Sequence, residues 1–244
     1  LGPAPGTAGT AATGYSDGSV RLWELPSVSG EVGARGRALC TFRGHKGAVG
    51  ALRWGGAGAH LLASGGNDTD VVVWDCVSEQ GLCRLRGHRG AVTDLAFVEE
   101  RPPGPGGRPA EPLRPPELLV SCSKDGIVRV WSLEAQRCVQ VLPVGVEAGV
   151  SEVWSLDIDP LGRRLVLGAS DHFLRLYAVN AAAAPGDAEE DSPTAEGREG
   201  GGSSARVLAA LGKVARKTQG RTARLRWSPD GSALALAGTG RQLE

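Results

Sequence analysis

Short apolar stretches bounded by glycine and polar residues recur along the chain. Four of them align without gaps on a shared aspartate: SDGSVRLWEL from Ser16, NDTDVVVWDC from Asn67, KDGIVRVWSL from Lys124 and SDHFLRLYAV from Ser170. In each stretch, Trp or Tyr follows the aspartate by six positions, and the residues between them are mostly apolar or β-branched. This pattern predicts a tight turn followed by a β-strand, once in each of four repeats.

Further strands surround each of these anchors. In the second unit they are AVGALRW, HLLAS, VVVWDC and GLCRLR, and the third and fourth units repeat the plan. The Trp and Tyr anchors are 51, 57 and 46 residues apart, which approaches the ~40 to 45 of a four-stranded propeller blade once loop insertions are removed. The sequence therefore predicts an all-β protein that forms part of a β-propeller.

The predicted ring is incomplete. The first unit lacks its opening strand, and the last, RTARLRWSPDGSALALAG, stops after two strands, so we expect three whole blades with a part blade at each end. A closed ring of this kind usually needs about seven blades, which places the others outside this chain. The chain also contains no methionine, so we expect Leu1 not to be a translation start and the chain to be a piece of a longer protein.

Three stretches interrupt the repeat within a single partial propeller that covers residues 1–244. Residues 24–38 and 98–117 are rich in Gly and Pro and are predicted to be exposed loop insertions. Residues 180–204 are acidic and of low complexity, and we expect this insertion to be disordered. Within it, Ser192 precedes a proline and is a candidate phosphorylation site, although a solvated loop without regulation is the simpler interpretation.

Composition excludes several classes of function. Lys plus Arg and Asp plus Glu both count 27, so no overall charge favours nucleic acid or a membrane surface. Five cysteines without a close pair indicate a reducing compartment. Because no apolar run could span a bilayer and the first residues do not form a signal peptide, we expect an intracellular protein without membrane contact.

The stretch Asn67-Asp68-Thr69-Asp70 is dense in carboxyl oxygens, which could hold a divalent cation or divide acid and base roles. The surrounding residues favour another interpretation. Gly44-His45 and Gly87-His88 each stand ahead of a predicted blade, and Trp74-Asp75 closes one. With these residues the chain resembles the WD-repeat family of β-propellers.

The resemblance implies one hydrogen-bonded set of a histidine, a hydroxyl, the turn aspartate and the tryptophan inside each blade. The matching sets are His45, Ser64, Asp68, Trp74 and His88, Ser121, Asp125, Trp131, with a partial set of Thr13, Asp17 and Trp23. Such a set imitates a hydrolase triad, but recurrence once per repeat favours a structural role. We therefore predict no catalytic residue, no cofactor and no metal site, and a protein that is not an enzyme.

The fourth unit departs from this pattern. Val146, Leu167 and Tyr177 stand at the positions of the histidine, the hydroxyl and the tryptophan, so this blade is expected to rest on apolar packing alone. His172 is interpreted as a turn residue, because no second ligand stands at metal spacing. In the second unit Asp68 is expected to accept a hydrogen bond from His45, whereas Asp70 is not required by the blade.

Two further groups of residues have predicted roles. Cys40 and Cys83 precede their Gly-His pairs by the same four residues, and Cys138 lies at a similar place, which predicts buried outer-strand positions. A basic run near the end of the chain could follow an RNA backbone or contact a partner protein. Its candidate contacts are Lys213, Arg216, Lys217, Arg221 and Arg224, followed by Arg226. Solvated strand ends explain these cations equally well, and because Trp227 is the one aromatic residue in the run, the sequence does not support base stacking.

The stretch from Ala63 to Phe97 is also similar to one WD-repeat family, the tandem-propeller subunit of the UTP-B complex in the small-subunit processome. That resemblance rests on Asp-Thr-Asp before the aliphatic strand and on YSDGSVRLW, EVWSLDI and GASDHFLRLY. It implies a nucleolar scaffold that supports assembly on pre-ribosomal RNA and 18S rRNA maturation, with other WD-repeat subunits and the U3 snoRNP as partners and no small-molecule substrate. An adaptor of another complex, such as a ubiquitin-ligase substrate receptor, is the alternative. An enzyme using the aspartate-rich turns is a third, disfavoured hypothesis.

Overall fold

The computed structural model describes residues 9–25, 36–56, 60–99, 117–144, 152–171, 173–180, 206–215 and 221–239. All regular elements in these ranges are β-strands. Consequently, none of the described residues belongs to a helix that could cross a membrane.

The described strands form five antiparallel sheets, each built from consecutive strands of the chain. The first sheet contains β1 (Thr10–Gly14), β2 (Ser19–Glu24) and β3 (Arg37–Arg43). The second contains β4 (Val49–Gly55), β5 (Leu61–Gly66), β6 (Val71–Asp75) and β7 (Gln80–Leu85). The third contains β8 (Val92–Val98), β9 (Leu118–Ser123), β10 (Ile127–Ser132) and β11 (Arg137–Pro143). The fourth contains β12 (Val153–Ile158), β13 (Arg164–Ala169), β14 (Phe173–Val179) and β15 (Leu208–Ala215), and the fifth contains β16 (Arg221–Trp227) and β17 (Leu234–Thr239).

This arrangement is that of a β-propeller and confirms the predicted fold class, with three four-stranded blades between a three-stranded and a two-stranded part blade. The first strands of successive blades, β4, β8, β12 and β16, contact one another in order and form the inner side of the ring. The close approach is visible at Gly55, where a Cβ atom would collide with the ring of Phe97 on β8. Glycine at that position lets neighbouring inner strands meet.

The core lies between the sheets. One apolar cluster joins the first and second blades through Leu22, Phe42 and Trp74, and another joins the second and third through Val73, Leu95 and Trp131. Two more clusters join the third blade to the fourth and the fourth to the fifth. Because each sheet alternates its side chains between two neighbours, every whole blade is buried on both faces.

The predicted insertions lie mostly outside the described residues. Their predicted limits were slightly too wide, since Glu24 belongs to β2, Arg37 and Ala38 belong to β3, and Val98 belongs to β8. The outer strand of the fourth blade runs from Leu208 to Ala215 and pairs in antiparallel register with β14. Residues 181–205, including Ser192, and His172, which is predicted to be a turn residue, also lie outside the described part.

Candidate functional site

The structure brings together the four predicted side chains of the second blade. The indole Nε1–H of Trp74 donates to Ser64 Oγ at 2.8 Å, and Ser64 Oγ lies 2.8 Å from His45 Nε2. His45 Nδ1 lies 2.9 Å from Asp68 Oδ1. A proton on Nδ1 makes the imidazole a donor to the carboxylate and leaves Nε2 to accept from the serine hydroxyl, so every member finds a partner.

The third blade repeats this geometry. Trp131 Nε1 donates to Ser121 Oγ at 2.8 Å, His88 Nε2 lies 2.7 Å from that hydroxyl, and His88 Nδ1 lies 2.9 Å from Asp125 Oδ2. In both blades the aspartate also accepts from the backbone N–H that follows the histidine, at Lys46 and at Arg89. The set therefore joins the loop before the inner strand to the turn between the two middle strands.

Burial and hydrogen bonding have opposite effects on the pKa values of Asp68 and Asp125. Burial raises the pKa of Asp125, but hydrogen bonds from His88 and from the backbone of Arg89 outweigh it and lower the pKa to about 2. Burial also raises the pKa of Asp68, but hydrogen bonds from the backbone of Lys46 and from the ring of His45 outweigh this effect and lower the pKa. Both carboxylates are consequently ionised acceptors at neutral pH.

Asp125 should make stability depend on pH in acid. Because its folded pKa lies below the ordinary value of 3.8, its contribution is fully present above about pH 4 and is lost as the pH falls towards about 2. We expect wild type to exceed Asp125→Asn by about 2 kcal/mol in the free energy of unfolding at neutral pH, and the difference to shrink below about pH 4. Urea denaturation across a pH series measures this, and a difference that stays constant down to about pH 2 would contradict it.

The sets have the connectivity of a Ser-His-Asp triad but not its accessibility. Ser64 and Ser121 are fully buried, and each hydroxyl already receives an indole N–H. A substrate carbonyl could not reach either oxygen without displacing the tryptophan from the blade core. These residues stabilise the blades, which accords with their repetition.

The first blade holds only part of a set. Trp23 Nε1 donates to Thr13 Oγ1 at 2.7 Å, but this pair is exposed. Asp17 bonds Ser19 within its own turn and is also exposed. The partial set therefore contributes less burial than its counterparts in the next two blades.

The expectation that the fourth blade rests on apolar packing alone was wrong. Arg175, which is 3% exposed, donates through both terminal nitrogens to the carboxylate of Asp171. This bidentate ion pair occupies Asp171, which corresponds to the turn aspartate that binds the histidine in the second and third blades. Tyr177 replaces the tryptophan within the apolar core of the third and fourth blades.

The expectation for Asp70 was also wrong. Its Oδ2 accepts from Arg84 Nη1 on the outer strand β7, and the same guanidinium donates to the carbonyl of Gly44. Asp70 thus ties the turn of the middle strands to the loop that carries His45. Between the two aspartates, Thr69 adopts a φ of +70°, a conformation that glycine supplies in the first and third blades at Gly18 and Gly126.

The inner strands carry a second polar network that the sequence did not predict. Side chains that face the following blade bond the backbone of its inner strand: Arg53 Nε donates to the carbonyl of Leu95 at 2.7 Å, and Asp94 accepts from Leu156 N–H at 3.3 Å. Ser155 Oγ accepts from Leu225 N–H at 3.0 Å, and Asp157 accepts from Trp227 N–H at 2.8 Å. Each described inner strand is therefore fastened to the next by a side chain.

Asp94 is the centre of this inner-strand network. It is 1% exposed, accepts from the hydroxyl of Ser155 at 2.8 Å, and has three guanidinium groups within 3.4 to 3.6 Å. These belong to Arg53, Arg224 and Arg226. Arg53 also reaches Asp157 at 3.2 Å across the third blade, where small Ala96 leaves room beside a cavity of about 150 Å³. That volume is below the roughly 300 to 1,000 Å³ typical of small-molecule sites.

The basic run does not form one surface. Lys213 is exposed on the outer strand β15, whereas Arg224 lies on the inner strand β16 with its guanidinium 3.5 Å from Asp94. Arg216 and Lys217 lie outside the described residues, and so does the side chain of Arg221. Among the described cations of the run, Lys213 therefore lies on an outer strand and the two arginines on an inner one, and both Arg224 and Arg226 have Asp94 as an internal partner.

The three cysteines lie on outer strands, as predicted, but they are half-buried rather than buried, and one of them differs in register. Cys40 pairs with Leu22 and Cys83 with Val73, but Cys138 pairs with Trp131 and so stands two residues earlier on its outer strand. All three are half-buried, and burial raises the pKa of the Cys40 and Cys83 thiols. Across the described ranges, no three His, Cys, Asp or Glu side chains are grouped so that they could hold a metal ion.

Comparison with known proteins agrees with this geometry. The family model "WD domain, G-beta repeat" matches residues 36–75 and 109–132. Together with the five sheets, this match shows that the chain contains WD repeats and has the WD40 β-propeller fold. Its Gly-His turns and buried tryptophans are those of the repeat.

Particular relatives share parts of the chain. The nuclear distribution protein PAC1 of Arthroderma otae is 31% identical over 171 residues, which cover 69% of this chain and 33% of that protein. The Polycomb protein esc of Drosophila melanogaster is 39% identical over 64 residues, covering 26% of this chain and 15% of that protein. The pre-mRNA-processing factor 19 of Bos taurus is 34% identical over 112 residues, covering 46% and 18%. The matches thus span a third or less of each relative's length.

A solved structure shares the whole fold. One chain in the crystal structure of the mitotic checkpoint complex is similar with a TM-score of 0.65 and 20% identity, over 98% of this chain and 58% of that chain. At this identity the likeness concerns the fold alone.

Proposed function

We propose that this protein is a non-enzymatic WD-repeat scaffold that holds several partners of one multi-protein assembly. The observation that carries the proposal is that the polar residues most suited to catalysis are engaged with one another inside the blades. The described Ser, His and Asp constellations are buried and bonded to one another, so the described blades are a rigid frame that displays loops and strand ends. The similar fold within a mitotic checkpoint complex is consistent with such a role.

The assembly that we propose is the small-subunit processome, in the nucleolus. Support comes from the stretch between Ala63 and Phe97, in which the unusual Asp-Thr-Asp turn is tied through Asp70 and Arg84 to the Gly-His loop. None of the relatives named above is named for ribosome assembly, so the proposal depends on that stretch. The proposed partners are other WD-repeat subunits and the pre-ribosomal particle with its U3 RNA, without a membrane or a small-molecule substrate.

Depletion of the full-length protein tests this role. We expect unprocessed small-subunit precursors to accumulate and 18S rRNA to fall, as measured by hybridisation to pre-ribosomal RNA. Affinity purification of the tagged protein should recover U3 RNA together with other propeller subunits. Normal 18S rRNA together with ubiquitin-ligase subunits in the purified material would instead support the adaptor function.

A further inference from the structure

Exposed cations collect on one face of the first three blades. The basic face consists of Arg43, Lys46, Arg86, Arg89 and Lys124, all of which are exposed. They stand at the ends of outer strands, in the loops before inner strands and in the turn before β10, which all lie on the same side of the sheets. This is the side that carries the buried histidines.

The positions repeat from blade to blade. Arg43 and Arg86 directly precede Gly-His in successive units, and Lys46 and Arg89 directly follow it. The backbone N–H of Lys46 donates to Asp68 at 2.6 Å, and that of Arg89 donates to Asp125 at 2.8 Å. The carboxylates that bind the histidines therefore also bind the backbone of Lys46 and Arg89, which fixes the positions of these two basic residues.

The two faces differ in charge although the whole chain is neutral. On the basic face of the first three blades, the exposed carboxylate in the described part is Asp17, with Arg21 3.9 Å from it, and the half-buried Asp70 lies 3.7 Å from Arg86. The opposite ends of the strands carry exposed residues of both signs: Glu24, Glu79, Glu117 and Glu134 with Arg37, Arg137 and Arg163. Among the residues that the structure describes, an excess of positive charge is therefore found on the basic face and not on the opposite one.

We propose that the basic face binds an acidic segment of a partner protein, an inference that rests on the proposed scaffold function. Carboxylates are favoured over an RNA strand because the two described rings that adjoin the basic residues are already covered by cations, whereas the exposed ring described on this side, Phe173, belongs to the fourth blade. Arg21 lies over Tyr15 at 4.4 Å and Lys124 over Trp154 at 4.8 Å, so neither ring is open for base stacking. Charge complementarity without stacking is the chemistry of an acidic peptide.

Binding of labelled probes to the purified protein tests the proposal. The probes are a short peptide of alternating glutamate and serine, its lysine counterpart, and an oligouridine RNA of the same charge as the acidic peptide, all followed by fluorescence anisotropy. We expect the acidic peptide to bind most tightly and to be weakened by added salt. In the triple variant Lys46→Gln, Arg86→Gln, Arg89→Gln, its affinity should fall by about tenfold.

The chain offers a matched control. The triple variant Arg37→Gln, Arg137→Gln, Arg163→Gln removes the same charge from the opposite face and should leave the affinity within about twofold of wild type. Equal losses in the two variants, tighter binding of RNA than of the acidic peptide, or no binding of the peptide would each overturn the proposal. If processing of 18S rRNA depends on the protein while the peptide does not bind, the scaffold function stands and only this surface assignment fails.

Discussion

Replacement of Asp94 with alanine is expected to lower the free energy of unfolding by about 3 to 5 kcal/mol. The carboxylate is almost fully buried and receives hydrogen bonds from Ser155 Oγ and from the backbone of Leu156. Its removal leaves these donors unpaired and takes away the counter-charge of three arginines on the inner strands. Chemical denaturation followed by tryptophan fluorescence measures the change.

Two variants locate the origin of that loss. Asp17→Ala removes a carboxylate from an exposed turn, and we expect it to cost much less than Asp94→Ala. Asp94→Asn keeps the shape and much of the hydrogen bonding while removing the charge, so an intermediate loss is expected. If Asp94→Ala were no more harmful than Asp17→Ala, the inner-strand network would not hold the blades together.

Replacement of Trp131 with alanine is the second large effect, with an expected loss of about 3 to 5 kcal/mol. The side chain is 1% exposed and belongs to the core between the second and third blades. Its loss creates a cavity in this core. It also removes the hydrogen bond that the indole N–H donates to Ser121 Oγ, which disturbs the bond between Ser121 and His88. The free energy of unfolding from urea titration is the appropriate measure.

Trp23 provides the comparison, because it makes the same indole-to-hydroxyl bond to Thr13 in a more exposed setting without a histidine. Trp23→Ala should cost about 1 to 2 kcal/mol, chiefly through the lost hydrogen bond and partial burial. Equal losses at Trp23 and Trp131 would show that burial and the histidine add nothing to the set.

The blades could be predicted because each repeat carries its own local signals. An aspartate six residues before an aromatic residue marks both the turn and the strand, and these signals do not depend on distant contacts. The two complete hydrogen-bonded sets followed from matching positions between repeats. The signal for Arg175 was also present, since an arginine interrupts an apolar strand four residues after Asp171, as Arg21 follows Asp17.

The inner-strand network could not be predicted in the same way. Arg53, Asp94 and Asp157 stand in half-apolar strands, where a polar residue is normally assigned to solvent. Their partners are 42 to 70 residues away in the neighbouring blades, so the pairing depends on which faces meet in the ring. Likewise, nothing in the sequence pairs Arg224 with Asp94, because the two residues become neighbours only in the fold.

The links between inner strands also bear on how a repeat protein can change. The described blades have nearly the same arrangement of strands, yet a different chemical group bonds each inner strand to the next. These groups are the guanidinium of Arg53, the carboxylate of Asp94 and the hydroxyl of Ser155. A donor facing the next strand needs a carbonyl, whereas an acceptor needs an N–H. The blades are therefore not interchangeable modules, and duplication or reordering of one would require compensating changes in its neighbours.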